Sequence, residues 1–202
     1  MKKIKELDNE LRRAIVSAIS NNGIEMEGIT SIMLDGEWKY CDTDEELKEA
    51  IKELFDEEFD NEDDFNDYIR SHDDSIIVLF FDPDVGYLIN VGERNKESEN
   101  ETDSSKDETK YVNTLSVELK KRIACQLEKE EFDDNEIAEI VFAPDEGHEW
   151  LLFENANELK EAIQQEWGEE ISEDELNEYV KDNSDWIITL NIDSTCLYLV
   201  SK

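Results

Sequence analysis

Apolar residues recur along the chain at two different spacings. Leu7, Leu11, Ile15 and Ile19 return every fourth position, which places them on one helical face, and Asn22-Gly23 supplies a stop. "ITSIML" and "WKYC" follow on either side of Asp35-Gly36, a spacing that predicts two strands around a tight turn. A second helical stripe runs through Leu47, Ala50, Ile51, Leu54 and Phe55, opened by Thr43 and Glu46 in capping-box spacing. Phe65, Tyr68 and Ile69 mark a shorter helix, and "SIIVLFF" and "GYLINV" around "DPDVG" predict a closing pair of strands. The predicted order is α-β-β-α-α-β-β. Its class is α+β, with helices packed on a small antiparallel sheet.

The pattern then repeats. "LKEAIKELFDEEFDNEDDFNDYI" from Leu47 aligns with "LKEAIQQEWGEEISEDELNEYV" from Leu159, and "IIVLFFDPDVGYLI" from Ile76 with "IITLNIDSTCLYLV" from Ile187. Leu115, Leu119, Ile123 and Leu127 match the first stripe, Glu149-Trp150 matches Glu37-Trp38, and Asn155–Glu158 and Ser172–Glu175 have capping spacing. The copies differ in length at a turn, "APDEGH", and by one residue near Asp64, changes that a shared fold tolerates. The expected organisation is a tandem duplication. Residues 1–92 and 111–202 form the two domains, and residues 93–110, without an aliphatic or aromatic side chain, form a flexible polar linker.

Charge changes the picture from fold to function. The 202 residues carry 56 acidic and 20 basic side chains, a formal charge of −36, far beyond the magnitude of roughly 2 to 8 that keeps a small domain in solution. Enough aromatic and aliphatic residues remain for a folded core. From Asp44 to Asp67 there are 13 acids and two lysines, a net of −11 over 24 residues. Drawn out as one helix this segment would reach about 36 Å, or one net charge per ~3.3 Å, against one phosphate per ~3.4 Å along a strand of B-DNA. Glu49, Glu53, Asp56, Glu57, Asp60, Glu62, Asp63 and Asp67 fall between the apolar positions of the first copy. Glu166, Glu169, Glu170, Glu173, Asp174 and Glu178 do so in the second, and these fourteen are the expected partner-binding residues. Like charges four apart on a helix cost about 0.2 to 0.5 kcal/mol per pair, a cost that a cationic partner would offset on binding. A solvated face, or adaptation to high salt, is the plainer explanation of the same charges.

No catalytic constellation assembles. GxSxG, GxxxxGK and HExxH are absent, neither "DNEDD" nor "DPDVG" has calcium-loop spacing, and carboxylate pairs such as Glu25/Glu27 and Glu130/Glu131 are expected by chance in so acidic a chain. His72 and His148, and Cys41, Cys125 and Cys196, occupy unrelated positions in the two copies, so no shared metal site is expected, and no cofactor. Trp38 and Trp150 match and are expected to pack in the core or hairpin, the alternative being an interface anchor. With no apolar run long enough to span a membrane and no secretory leader, the expected compartment is the cytoplasm.

A short, acidic, lysine-poor α+β chain resembles the DNA-mimic inhibitors by which phages and mobile elements block restriction enzymes and CRISPR nucleases. In the run of strands, helix and "EEFDNEDDFNDYI" with Phe65 and Tyr68, each copy looks like the small acidic anti-Cas9 proteins of Listeria prophages. The duplication and the "DPDVG" hairpin depart from that family. The resemblance implies a non-enzymatic inhibitor occupying the cationic site where Cas9 reads the PAM duplex with arginines. The expected partner is accordingly a basic nucleic-acid-binding protein, engaged by one copy or by both, with no direct contact to nucleic acid or membrane. The alternative is an immunity-type or regulatory protein that binds one basic protein, such as a toxin nuclease, through shape as well as charge.

Overall fold

The computed structural model describes residues 1–81, 83–92, 110–144 and 149–202. The chain divides into two compact units, Met1–Asn100 and Glu101–Lys202. The first contains β1 (Lys2–Lys3), α1 (Asn9–Asn21), α2 (Met26–Leu34), β2 (Trp38–Cys41), α3 (Asp44–Phe55), α4 (Glu62–Ser71), β3 (Ile76–Phe80) and β4 (Val85–Asn90). The second contains β5 (Lys110–Tyr111), α5 (Val117–Lys129), α6 (Asp134–Ile137), β6 (Trp150–Phe153), α7 (Ala156–Trp167), α8 (Glu173–Asp182), β7 (Ile187–Ile192) and β8 (Thr195–Ser201). The class is α+β, with one four-stranded antiparallel sheet per unit, ordered β1-β2-β4-β3 and β5-β6-β8-β7. Of the expected linker, residues 93–109 lie outside the described residues, as do Asp82 and residues 145–148 of the "APDEGH" turn. Lys110 belongs to β5, opposite Leu152.

Strand register agrees at the aligned positions. Trp38 faces Asn90 as Trp150 faces Ser201, and Ile76 faces Ile89 as Ile187 faces Val200. Alternation then sends Cys41, Ile76, Tyr87 and Ile89 to a core beneath α3 and α4, together with Leu47, Ile51 and Phe65. The intervening Tyr40, Leu79 and Leu88 are also buried, and Asn22 at the end of α1 donates from Nδ2 to the carbonyl of Val78 at 2.9 Å. Both sheet faces are therefore covered. The β7–β8 turn is two residues, Asp193 and Ser194, both at positive φ (49° and 66°), as a type I′ hairpin requires.

One expected pair of strands is corrected. "ITSIML" lies within α2, and its counterpart in the second unit is α6 followed by a π-helical turn, Ala138–Phe142. Met26, Ile29, Thr30 and Met33 are all buried, a spacing of three and four that belongs to a helix. Asp35-Gly36 thus links a helix to β2, whose partners are β1 and β4. The second-unit helix has its own start signal, since Asp133 accepts from the Glu136 N–H while Glu136 accepts from the Asp133 N–H.

Candidate partner-binding surface

Each unit carries its acids on a helix pair and on the short segment that connects the two helices. In the first, Leu47, Ala50 and Ile51 hold α3 against the sheet, which turns Glu49 and Glu53 outward on the opposite face. Thr43 caps α3 by accepting from the Glu46 N–H at 3.2 Å, and Glu46 reaches one residue further back than a capping box, to the Asp42 N–H at 3.1 Å. Asn155 and Glu158 repeat the arrangement on α7, with Glu158 accepting from the Glu154 N–H at 2.8 Å.

α3 and α7 end in left-handed residues, Asp56 at φ 60° and Gly168 at φ 71°. Beyond Asp56 the chain is pinned by Phe59, whose ring meets Phe65 and Tyr68 edge to face at 5.3 and 5.1 Å. Glu57 and Asp60, on either side of that anchor, face solvent. Asn61 then caps α4, with Phe65 and Ile69 inward and Glu62, Asp63 and Asp67 outward. In the second unit Ile171 packs inward, Ser172 and Glu175 form the capping box of α8, and Glu173, Asp174 and Glu178 face outward.

All fourteen sequence-selected acids are exposed. Three have ionic partners: Lys48 lies 3.9 Å from Glu62, Arg70 lies 3.1 Å from Asp67, and Lys202 lies 3.2 Å from Glu166. Among the described residues the other eleven have no ion pair. Helix ends relieve part of the repulsion, because Glu62, Asp63, Glu173 and Asp174 sit in first turns, at the positive end of the helix dipole. Burial pushes the Tyr68 hydroxyl pKa up, with Glu57 adding to it. At the aligned Tyr179, burial again leads and a hydrogen bond to Glu169 follows. Each unit therefore brings the acid just past its helix cap next to a tyrosine of the following helix.

The two helices expected from the sequence are present, so the length of about 36 Å for a single drawn-out helix is an upper bound on the acidic segment. α3 and α4 are separate helices of 12 and 10 residues, about 18 and 15 Å long, joined through Asp56–Asn61. Phe55, expected in the apolar stripe, is 44% exposed, and so is its counterpart Trp167. Trp38 and Trp150 are half-buried on their strands.

His72 closes the end of α4. Its Nδ1 lies 2.9 Å from the carbonyl of Tyr68 at the end of α4, where Asn183 donates from Nδ2 to the carbonyl of Tyr179 at 2.7 Å in the second unit. His148 lies outside the described residues. Cys41, Cys125 and Cys196 form no disulfide among the described residues; burial raises the Cys41 thiol to about 11, which keeps it protonated near neutral pH. Among the described residues no group of three or more His, Cys, Asp or Glu side chains is placed to hold a metal ion, and no helix is long and apolar enough to cross a membrane.

Sequence reasoning missed Trp167 and Trp186, whose rings meet at 4.8 Å beside a cavity in the second unit. The signal was present in the alignment, where tryptophans replace Phe55 and Ser75. No protein-family model, curated protein or solved structure matches this chain.

Proposed function

We propose that the chain is a non-enzymatic inhibitor that presents carboxylates in the manner of a nucleic-acid backbone and blocks the cationic nucleic-acid-binding site of a nuclease or a CRISPR or restriction effector. The observation that carries this reading is the exposure of fourteen acids on two helix pairs and the segments that join them, eleven of them without an ion pair among the described residues. Charge left uncompensated on ordered helices is a standing destabilisation, which a groove of lysines and arginines would convert into affinity.

We also infer that the units descend from one duplicated module. Common strand order, common register and matched helix caps support that history. Two such units offer engagement of two sites on one effector, or of two effector molecules.

The target is sought by capture from a host lysate at low salt. Replacing Asp60, Glu62, Asp63 and Asp67 together by lysine is expected to abolish inhibition of the captured protein while the circular dichroism of the fold persists. Affinity of the unaltered chain should fall about tenfold or more between 50 and 200 mM salt, with DNA or RNA competing for the same site. Unchanged affinity of the reversed variant would show that a different surface is used. Binding that ignores both salt and nucleic acid would instead favour the immunity-type reading.

A further inference from the structure

The second unit holds a cavity of about 390 Å3 between α7 and its sheet. Its floor is Leu151 and Val200, paired across β6 and β8, and its walls are aromatic: Phe153, Trp167 and Trp186. Trp186 is fixed in place. Its Nε1–H donates to Asn183 Oδ1 at 3.1 Å, and its ring meets Trp167 at 4.8 Å and Tyr179 at 6.3 Å, in both cases edge to face. Trp167 leaves 44% of its surface open. Glu166 also lines the cavity, half exposed, and accepts from Lys202 Nζ at 3.2 Å.

The first unit is built differently at the aligned positions. Leu54 stands where Glu166 does and packs on the core, and Ser75 stands where Trp186 does. The aromatic recess with its carboxylate is therefore an elaboration of one unit on the common plan.

Aromatic walls with a carboxylate suit a cation that has a flat apolar face. A guanidinium stacks on an indole while presenting paired N–H donors to a carboxylate; an ammonium has neither the plane nor the fork. Lys202 shows that Glu166 already accepts a cation there. Glu169, linked to Tyr179, and Glu170 add negative charge to the same helix connection, which attracts cations toward it. We propose that this recess is the socket for an arginine side chain of the basic protein partner. The source of that arginine rests on the inhibitor reading above; the chemistry of the socket is tested without it.

The full-length chain, labelled with 15N, is titrated with acetyl-arginine amide while its four tryptophan indole N–H signals are followed, with acetyl-lysine amide and acetyl-leucine amide as comparisons. Saturable shifts are expected at Trp167 and Trp186 and none at Trp38 or Trp150. Arginine should bind about fivefold more tightly than lysine, and Glu166→Gln should cost about fivefold. Lys202→Ala should tighten binding about twofold, because the competing ammonium is gone. Shifts shared by all four indoles, no shift at all, or saturation by the leucine derivative alone would each overturn the assignment. Capture of a basic protein with an affinity untouched by Glu166→Gln and Trp167→Ala would sink the socket and leave the inhibitor reading standing. Saturation by arginine in a chain that captures no basic protein would do the reverse.

Discussion

Tyr40 and Gly86 in the first unit occupy the places of Leu152 and Leu197 in the second. A Cβ on Gly86 would lie 2.8 Å from the Tyr40 ring and 2.9 Å from its hydroxyl, so at this pair of positions the first unit has its bulk on β2 and none on β4, whereas the second divides it between β6 and β8. The tethers differ in the same spirit. The Tyr87 hydroxyl donates to Asp44 at the start of α3, and burial together with that carboxylate pushes the Tyr87 pKa up; for the aligned Tyr198 the position of Asp44 is taken by Ala156, which has no acceptor side chain, and burial followed by Cys196 raises it to about 12. Core side chains thus differ between the units under the same strand order and register. What both units keep is an outward row of carboxylates whose individual letters differ.

The largest test of that comparison removes equivalent core residues. Leu47 and Leu159 are both fully buried under the first turns of α3 and α7, so Leu47→Ala and Leu159→Ala should each cost about 3 kcal/mol in chemical denaturation. The fluorescence transition of Trp167 and Trp186 should move with Leu159→Ala and stay in place with Leu47→Ala. A shift of that transition by Leu47→Ala as well would show that the units unfold as one.

Gly86→Ala should cost about 1 to 3 kcal/mol by overpacking against Tyr40. Pairing it with Tyr40→Leu, which borrows the second unit's arrangement, should recover part of that loss. Additive losses in the double variant would mean that the two positions are not exchanging volume.

The smallest effect concerns acid. The Asp42 N–H holds the Glu46 carboxyl below the usual glutamate range. Its contribution is present in full above the unfolded value of about 4.3 and is lost as pH falls through the lower folded value. Glu46→Gln should therefore narrow the stability difference between pH 6 and pH 3 by less than about 0.5 kcal/mol, given the side chain's exposure. An unchanged difference would detach Glu46 from the acid response.

Much of this molecule was legible before folding was considered. The stripes Leu11 to Ile19 and Leu47 to Leu54 contain enough turns to fix their period, and acids interleaved with them face outward, whereas Leu7, read as the start of the first stripe, precedes the Asp8 cap of α1. Positions that caps and turns demand, such as Thr43, Ser172 and the closing hairpins, are similarly local.

Tertiary structure decided what local pattern leaves degenerate. A run as short as "ITSIML" fits a strand or a helix equally well, and α2 won because Met26, Ile29, Thr30 and Met33 together reach the interior. The two-residue edge strands β1 and β5 have no period to read and exist only through their pairing with β2 and β6. Exposure of Phe55 and Trp167, against their place in an apolar stripe, follows from where each helix ends relative to the sheet. The aromatic recess needs residues from β6, α7, the turn before β7, and β8, up to about 50 positions apart, to converge. Sequence spacing carries the geometry of one helix turn or one pleat; it does not carry which distant surfaces meet.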